Sequence, residues 1–208
     1  MRELRPPSAH QPASERNAPD LSANERELVK ELQSGDPKAI ETLYTMYFDR
    51  LYAFIFNSVK RDQSAAEDIV HDIFESVIRG TKGFKGQSKI YTWLAGIAHH
   101  KIADYYRREQ REIHHNNPLI TDNTVDSQSI ADDSQSISDG VMSSEMGHVF
   151  AGALSGLPPD YRQALLLKYV EEMTVAEISH VMNRSPKSID GLLTRARKLL
   201  KENFSGEL

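Results

Sequence analysis

The chain of 208 residues contains no cysteine. This absence excludes disulfide frameworks, thiolate zinc sites and cysteine nucleophiles, and it suits a reducing compartment. Apolar runs of the roughly 20 residues that span a bilayer are also lacking. The polar, proline-bearing N-terminus has no apolar centre of the kind that a secretory signal needs. We therefore expect a soluble cytoplasmic protein with no membrane insertion.

Lysine and arginine are missing from a long stretch in the second half of the chain. None occurs between Glu112 and Tyr161, whereas acids are frequent there. Basic residues concentrate on either side, from Phe84 to Arg111 and from Arg184 to Lys201. The formal net charge of -5 argues against a nucleic-acid partner only because it averages an acidic segment with two basic ones. The two basic segments are therefore candidates for contact with nucleic acid.

Composition divides the chain into four segments. Residues 1–23 mix Pro, Ser, Asn and charge without periodicity and are interpreted as a disordered N-terminal tail. Residues 24–111 carry long helical patterns and predict an N-terminal helical bundle. Residues 112–147 are too polar to form a core and indicate a flexible acidic linker, and residues 148–208 predict a C-terminal helix-turn-helix. The fold class is therefore all-α, with two small helical domains joined by that linker.

Local capping signals predict where the helices of the N-terminal bundle begin. Asp36-Pro37 places an N-cap acid before a first-turn proline. The run from Ser64 to Glu67 has the sequence of a capping box and opens a helix with a continuous apolar stripe that ends at Gly80. Two glycines and two lysines in residues 81–88 predict an exposed loop before a third long helix.

The C-terminal segment carries the pattern of a helix-turn-helix. Thr174 to Glu177 has the sequence of a capping box, which opens a short helix. Asn183 tolerates left-handed geometry and suits the turn that follows. Ser185-Pro186 then caps a longer basic helix. Short helix, tight turn and longer basic helix are typical of DNA-binding proteins that place the last helix in the major groove.

The apolar stripe of the last helix determines which of its side chains point outward. A short basic helix with small residues can bring arginine to base edges and lysine to phosphates. A solvated amphipathic helix at the end of the chain is the structural alternative, but the capped helix and turn before it favour DNA binding. The residues expected to face outward are Lys187, Asp190, Gly191, Thr194, Arg197, Lys198 and Lys201, with Arg195 at the boundary.

The other basic region combines lysines with aromatic residues. Phe84, Tyr91 and Trp93 lie close in sequence to Lys85 and Lys89. Aromatic faces beside lysines suit a site that stacks unpaired bases while neutralising the strand that carries them. Aromatic residues in a helical bundle are more often part of the core. Trp93 is the best candidate for stacking because it lies off the apolar stripe.

Several separated motifs of the chain resemble one known family. The N-terminal motifs are Gly35-Asp36-Pro37, Leu51-Tyr52, the run from Ala66 to Phe74, Phe84-Lys85-Gly86 and Thr92-Trp93-Leu94. The C-terminal motifs are Leu157-Pro158, Tyr161-Arg162, Glu177-Ile178 and Arg195-Ala196-Arg197-Lys198. In this order they resemble the two conserved modules of sigma-70 family RNA polymerase sigma factors of the extracytoplasmic-function (ECF) group, over residues 28–111 and 149–204.

The resemblance implies a non-catalytic protein that binds core RNA polymerase and promoter DNA and assists promoter melting. The residues it assigns to core polymerase are Asp68, Ile69, Val70, Asp72, Ile73 and Phe74. Those it assigns to the minus-ten element, whose bases are captured as the strands open, are Phe84, Lys85, Lys89, Tyr91, Trp93, His99, His100, Lys101, Arg107 and Arg108. Those it assigns to the minus-thirty-five element are Ser185, Pro186, Lys187, Ser188, Asp190, Gly191, Thr194, Arg195, Arg197 and Lys198.

The resemblance also implies an anti-sigma partner that wraps the same surfaces, and a linker that threads toward the RNA path of the polymerase. The chain departs from the family pattern at three positions. His100 stands where members commonly carry asparagine in the minus-ten helix, and Asp190 and Leu192 stand where many relatives have basic residues. These departures bear on the promoter sequence that the chain prefers.

Two other classes of function compete with this interpretation. A metal-dependent hydrolase would use the doublet His71-Asp72 with other histidines, namely His99, His100, His114 and His115, but such doublets bind metal only when further ligands meet in space. The second class is a helix-turn-helix regulator that binds duplex DNA alone and does not replace the sigma subunit. We expect no catalytic site, no metal and no cofactor.

Overall fold

The computed structural model describes residues 21–80, 84, 86–116 and 151–206, and all regular structure in these ranges is helical. This confirms the all-α prediction. Residues 1–20 and most of the predicted linker, with its implied path through the polymerase, lie outside the described residues.

The first helix begins with a capping box that sequence analysis did not find. The Ser22 side chain accepts a hydrogen bond from the Glu25 amide at 3.2 Å, and the Glu25 carboxylate accepts from the Ser22 amide at 3.1 Å. Helix α1, Ala23–Ser34, follows this cap. Leu21 is already buried. The predicted tail of residues 1–23 therefore extends too far into the folded bundle.

The second helix begins where the sequence predicts. Gly35 adopts a left-handed conformation with φ of 79° and ends α1. A side chain would strain this conformation, which glycine adopts freely. The Asp36 carboxylate then accepts from the Lys38 amide at 2.9 Å, and α2 spans Pro37–Ser58.

The third helix begins earlier than its sequence signal predicts. The Asp62 carboxylate accepts a hydrogen bond from the Ala65 amide at 3.0 Å, and α3 spans Gln63–Gly80. Ser64 therefore lies inside the helix, and its predicted capping box is wrong. Asp62 takes the N-cap position instead, because aspartate is among the best N-cap residues and its carboxylate accepts from a free amide of the first turn.

The fourth helix is the longest and runs past the predicted domain boundary. Helix α4 spans Ile90–Asn116, so residues 112–116 are helical and do not belong to the linker. Its side chains Leu94 and Ile102 are fully buried among α2 and α3. The four helices thus form the predicted N-terminal bundle.

The C-terminal module consists of short helices before one long helix. Residues 151–155 are helical, α5 spans Pro159–Leu165 and continues into a π-helical turn at Leu166–Val170. Helix α6 spans Val175–Val181, and α7 spans Pro186–Gly206. The predicted helix-turn-helix is therefore present as α6, a turn and α7.

The two modules pack directly on each other, which the sequence did not predict. Helix α6 lies against α4, and α5 with its π-helical turn touches α2. The buried apolar side chains form one cluster that contains residues of both modules, such as Leu94 and Ile178.

Candidate nucleic-acid interface

The acidic side chains of α3 are available on the surface, whereas its apolar side chains are not. Asp68 is exposed, and Asp72 is half-buried and accepts from Lys101 Nζ at 3.1 Å. The helix has one wide apolar stripe, and that stripe packs against α2 and α4. Of the residues assigned to core polymerase, only the two carboxylates are therefore accessible in this structure, and the four apolar residues belong to the core. The residues that the structure buries are Ile69, Val70, Ile73 and Phe74.

A stacked pair of aromatic rings lies between the loop and the start of α4. The rings of Phe84 and Trp93 are 4.6 Å apart and inclined by 21°. Phe84 is buried, and its carbonyl accepts from Gln33 Nε2 at 2.6 Å. Trp93 is only half-buried, so Phe84 supports one face of the indole. Phe84 is therefore a core residue and not a stacking platform, and Lys85 lies outside the described residues.

Tyr91 is also a core residue, contrary to its assignment to base stacking. It is 5 % exposed. The guanidinium of Arg50 lies 3.9 Å from the centre of its ring. Burial, followed by the nearby Glu171 carboxylate, raises the pKa of the Tyr91 hydroxyl far above its usual value. The tyrosine is therefore neutral and has no open face for a base.

Two residues of the predicted minus-ten surface make polar contacts with the C-terminal module. Lys89 Nζ lies 2.9 Å from Glu177 Oε1, and His99 Nδ1 lies 2.9 Å from Gln163 Oε1. Burial raises the pKa of Glu177, but the bonds from Lys89 and Thr174 outweigh it and leave this pKa below its usual value. His99 is therefore buried between the modules, whereas the Lys89 side chain pairs with Glu177 but stays half exposed.

The outer face of α4 keeps its positive charge accessible. Here α3 and α4 border a cleft of about 320 Å³. Its carboxylates are those of Asp72 and Asp104, and they pair with Lys101 and Arg107 respectively. His100 is exposed nearby. The cationic residues that line the cleft are Lys101, Arg107, Arg108 and Arg111.

The helix-turn-helix is built by the signals that predict it. Thr174 and Glu177 form the complete capping box of α6. Asn183 adopts a left-handed conformation with φ of 50° in the turn. The Ser185 hydroxyl accepts from the Ser188 amide at 3.3 Å at the start of α7. The turn therefore joins α6 to α7, and the two helices pack against each other.

The outward face of α7 agrees with the sequence prediction. Gly191 is half-buried and all the other predicted residues are exposed. A Cβ added at Gly191 would lie 3.4 Å from Arg195 Nη1, and Arg195 Nε donates to the Tyr161 hydroxyl at 3.3 Å. The missing side chain therefore leaves room for this guanidinium. The exposed residues are Ser185, Pro186, Lys187, Ser188, Asp190, Thr194, Arg195, Arg197 and Lys198.

Arg197 differs from its neighbours on α7 because it borders an apolar groove. Its Nε donates to the Leu193 carbonyl at 3.2 Å. The groove of about 280 Å³ is also lined by Tyr169 and Val170, whose side chains are exposed. The aliphatic part of the Arg197 side chain thus covers apolar surface, while its guanidinium stays in solvent.

Arg162 is the most buried charged side chain in the described ranges, and sequence analysis assigned it no role beyond the Tyr161-Arg162 motif. It is 0 % exposed. Its guanidinium donates to the carbonyls of Leu154 at 2.9 Å, Ser155 at 2.6 Å and Leu157 at 2.8 Å. Leu154 and Ser155 lie at the end of the preceding helical segment and Leu157 follows it; the Leu154 carbonyl also accepts from the Leu157 amide at 3.1 Å. The Tyr161-Arg162 motif was the sequence feature that could have drawn attention to Arg162.

The histidines of the hydrolase alternative whose side chains the structure describes do not form a metal site. His71 is exposed on α3, and His99 bonds to Gln163 between the modules. Among residues whose side chains the structure describes, no three His, Cys, Asp or Glu lie close enough to hold a metal ion. The side chains of His114 and His115 lie outside that part. No described helix is long and apolar enough to cross a membrane.

A bundle with a basic cleft, joined to a helix-turn-helix with an exposed basic face, defines a two-module DNA-binding protein. Comparison with known families specifies its class. The family model described as Sigma-70 region 2 matches residues 43–112, and the one described as Sigma-70, region 4 matches residues 149–200.

Two curated relatives agree with these family matches. The chain is 30% identical over 166 residues to the ECF RNA polymerase sigma factor SigM of Bacillus subtilis, covering 80% of this chain and 95% of the relative. It is 30% identical over 171 residues to the RNA polymerase sigma factor YlaC of the same organism, covering 80% and 92% respectively. The chain belongs to the sigma-70 family, in its ECF group.

Solved structures show the same fold at lower identity. CnrH, in complex with the cytosolic domain of CnrY, matches with a TM-score of 0.63 and 20% identity over 88% of this chain and 99% of that chain. The sigma factor RpoE from Bartonella quintana, in complex with the anti-sigma factor NepR, matches with a TM-score of 0.62 and 20% identity over 81% and 98%.

Proposed function

We propose that this chain binds core RNA polymerase, directs it to specific promoters and assists promoter melting, as sigma factors of its family do. The observation that carries the proposal is the presence of both family regions in order, each with an exposed basic surface. Under this proposal the protein acts in the cytoplasm, together with polymerase. It acts as an initiation factor and has no catalytic site of its own.

Transcription from native promoters by purified core polymerase tests this function. We expect run-off transcripts only when the chain is added, because core enzyme alone does not recognise promoters. A helix-turn-helix regulator would instead bind a specific duplex site without polymerase and would not support transcription by core enzyme. Failure with every promoter fragment selected from the native genome would contradict the proposal.

The proposed function uses three surfaces of the chain. Asp68 and Asp72 on α3 contact the clamp helices of the largest polymerase subunit. Trp93 and the basic cleft on α4 bind the non-template strand of the minus-ten element, with the indole stacking on a base and cations on phosphates. The outward face of α7 binds the minus-thirty-five element in the major groove.

An anti-sigma protein is a further partner under this proposal. Two relatives in structure, CnrH and RpoE, are solved with a bound protein, which for RpoE is the anti-sigma factor NepR. The apolar groove beside Tyr169 and Val170 on the C-terminal module offers surface to such a partner. Co-purification of the native chain from its own cells tests for it.

Replacing Trp93 by alanine is expected to impair promoter opening more than promoter docking. Trp93 is half-buried, so part of the indole is accessible to a base, and stacking contributes about 1–3 kcal/mol per base. We expect about a tenfold or greater loss of open complex, measured by permanganate reactivity of the melted strand, with duplex binding of holoenzyme little changed. Trp93→Phe is the matched control and retains most opening. Equal loss of docking and opening would show that Trp93 only supports the core.

A further inference from the structure

One acidic side chain lies on the face of α7 that the proposed function brings to DNA. Asp190 is exposed there, about one helical turn after Lys187 and about one turn before Thr194. The other exposed residues of this face are basic or small. A carboxylate in the negative potential of a DNA groove is costly unless a hydrogen-bond donor meets it. Asp190 therefore needs a specific partner when α7 binds.

The Asp190 carboxylate has no such partner within the part of the chain that the structure describes, where it accepts no hydrogen bond and joins no ion pair. The Thr194 hydroxyl donates at 2.9 Å to the backbone carbonyl of Asp190 and not to its side chain. The charge of Asp190 is therefore available to a donor outside the protein. Other acids of the C-terminal module differ because they pair with cations, namely Asp160 with Arg184, Glu171 with Arg50, Glu177 with Lys89 and Glu202 with Lys198.

The position of Asp190 on α7 directs its side chain to bases. It lies four residues after Pro186, the first residue of the helix, and helix-turn-helix proteins contact base edges with the N-terminal residues of this helix. Its neighbours on the same face, Gly191 and Thr194, are small, and the Arg195 guanidinium lies close against Gly191. The helix can therefore approach the base pairs closely enough for a short aspartate side chain to reach them.

The chemistry of the major groove then selects the base. Guanine presents two acceptors there, N7 and O6, and thymine presents the O4 acceptor and a methyl group, so both disfavour a carboxylate. Adenine presents its N6 amino donor beside the N7 acceptor. Cytosine presents its N4 amino donor with no acceptor of its own. A carboxylate, whose two oxygens only accept, therefore suits cytosine best.

Lys187 complements a carboxylate that binds cytosine. The guanine paired with that cytosine presents its O6 and N7 acceptors next to the N4 donor. Lys187 is exposed on the same face of α7 as Asp190, three residues earlier, and its ammonium group only donates. A donor and an acceptor one turn apart on the helix thus match a base pair that presents acceptors beside a donor.

Leu192 does not take part in base recognition, although it also departs from the family pattern. It is 2 % exposed and belongs to the hydrophobic core. A change at this position therefore alters packing and makes no contact with a base edge. Asp190 is the departure on α7 that bears on the sequence of the minus-thirty-five element.

Resting on the function proposed above, we propose that Asp190 is a specificity-determining residue that selects cytosine at one position of the minus-thirty-five element. Its carboxylate accepts a hydrogen bond from the cytosine N4 amino group. It also disfavours guanine and thymine at that position, because their acceptors face its oxygens. Rejection of the wrong base contributes to specificity as directly as attraction of the right one.

Selection of promoter DNA by holoenzyme tests this assignment. Core polymerase with the full chain binds native promoter fragments whose minus-thirty-five element is randomised, and the bound DNA is sequenced. We expect the parent to select cytosine, in one of the two strands, at the position that Asp190 contacts. Asp190→Ala should lose the preference at that position and keep the preferences at the others. Asp190→Asn should prefer adenine there, because asparagine bonds to both N6 and N7 of adenine.

Glu202→Gln is the matched control because it removes the same charge from the same helix, about 18 Å further along its axis. Glu202 is exposed, and its replacement should leave the selected sequence unchanged. Cytosine selection that persists in Asp190→Ala, or preferences that change equally at every position, would overturn this proposal alone. Absence of any selected sequence with the parent would instead overturn the promoter-directing function on which it rests.

Affinities of holoenzyme for single promoters measure the size of the effect. Replacing the selected pair by another is expected to weaken binding by the parent about tenfold, which is typical of one mismatched base pair. The same replacement should change binding by Asp190→Ala less than about twofold, since the contact is already absent. Asp190→Ala should also bind the replaced promoters more tightly than the parent does. Equal losses in the two proteins would contradict the assigned contact.

Discussion

Replacing Arg162 by methionine is expected to lower the free energy of unfolding by about 3–5 kcal/mol, since unpaired buried acceptors cost about 1–3 kcal/mol each. The guanidinium makes five hydrogen bonds, three within its own module and two to the N-terminal bundle. Methionine fills much of the volume but donates to none of these acceptors. Urea denaturation of the full chain, followed by circular dichroism, measures the change.

Arg184→Met is the control for this substitution. Arg184 pairs with Asp160 where both side chains are partly exposed, and such surface pairs contribute about 0–1 kcal/mol. The control should therefore remain close to the parent chain. A loss for Arg162→Met no larger than that of the control would mean that water replaces the guanidinium at these carbonyls, and that the buried network is not a main source of stability.

Reversing the charge of Asp68 and Asp72 together is expected to reduce affinity for core polymerase by about 100-fold or more, because like charges across an interface cost several kcal/mol. Asp68 is exposed, so its replacement by arginine leaves the bundle intact. Asp72 pairs with Lys101, and its replacement also puts two cations together. Titration of labelled core enzyme with each variant measures the loss.

Asp49→Arg provides the matched control for charge reversal. Asp49 is exposed on α2 and lies outside the proposed polymerase surface. It should bind core enzyme as the parent does. Asp68→Arg alone separates the surface effect from the Lys101 contact. Full affinity in the double variant, with its helical content unchanged, would refute the assigned surface.

The helix starts that could be predicted are those fixed by neighbouring residues. Asp36 caps α2, Thr174 and Glu177 cap α6, and Asn183 takes the left-handed turn. Each signal acts within three residues, so sequence alone contains it. The Ser64 signal failed for the same local reason, because Asp62 offers a competing cap two residues earlier.

The burial of single side chains was less predictable than the helices that carry them. Tyr91 is the first residue of the apolar stripe of α4. Its position on that stripe determines its burial, and the neighbouring lysines do not. Phe74 and Ile69 likewise follow the stripe of α3 into the core. Periodicity therefore predicted their burial correctly. The family motifs that suggested contact with DNA or polymerase identified the right helices but did not distinguish their exposed residues from their buried ones.

The packing of the modules could not be predicted because it depends on residues far apart in the chain. Arg50 and Glu171 are separated by 121 positions, and Ser58 and Arg162 by 104. Neither pair has a periodic or capping signal. From the sequence alone, Arg50 cannot be distinguished from an ordinary arginine on the solvent-exposed face of a helix. The acidic linker suggested independent modules, and only the structure shows them joined.

The stacked pair of Trp93 and Phe84 gives the protein a built-in optical probe. Trp93 is the only tryptophan of the chain, and its half-buried indole lies 4.6 Å from the Phe84 ring. Indole emission responds to the polarity and contacts of its surroundings. A base that covers the accessible part of the indole, or a movement of the loop that removes Phe84, changes the intensity and wavelength of a single emitter. Engagement at this position can therefore be followed in the unmodified chain, in real time and without a dye.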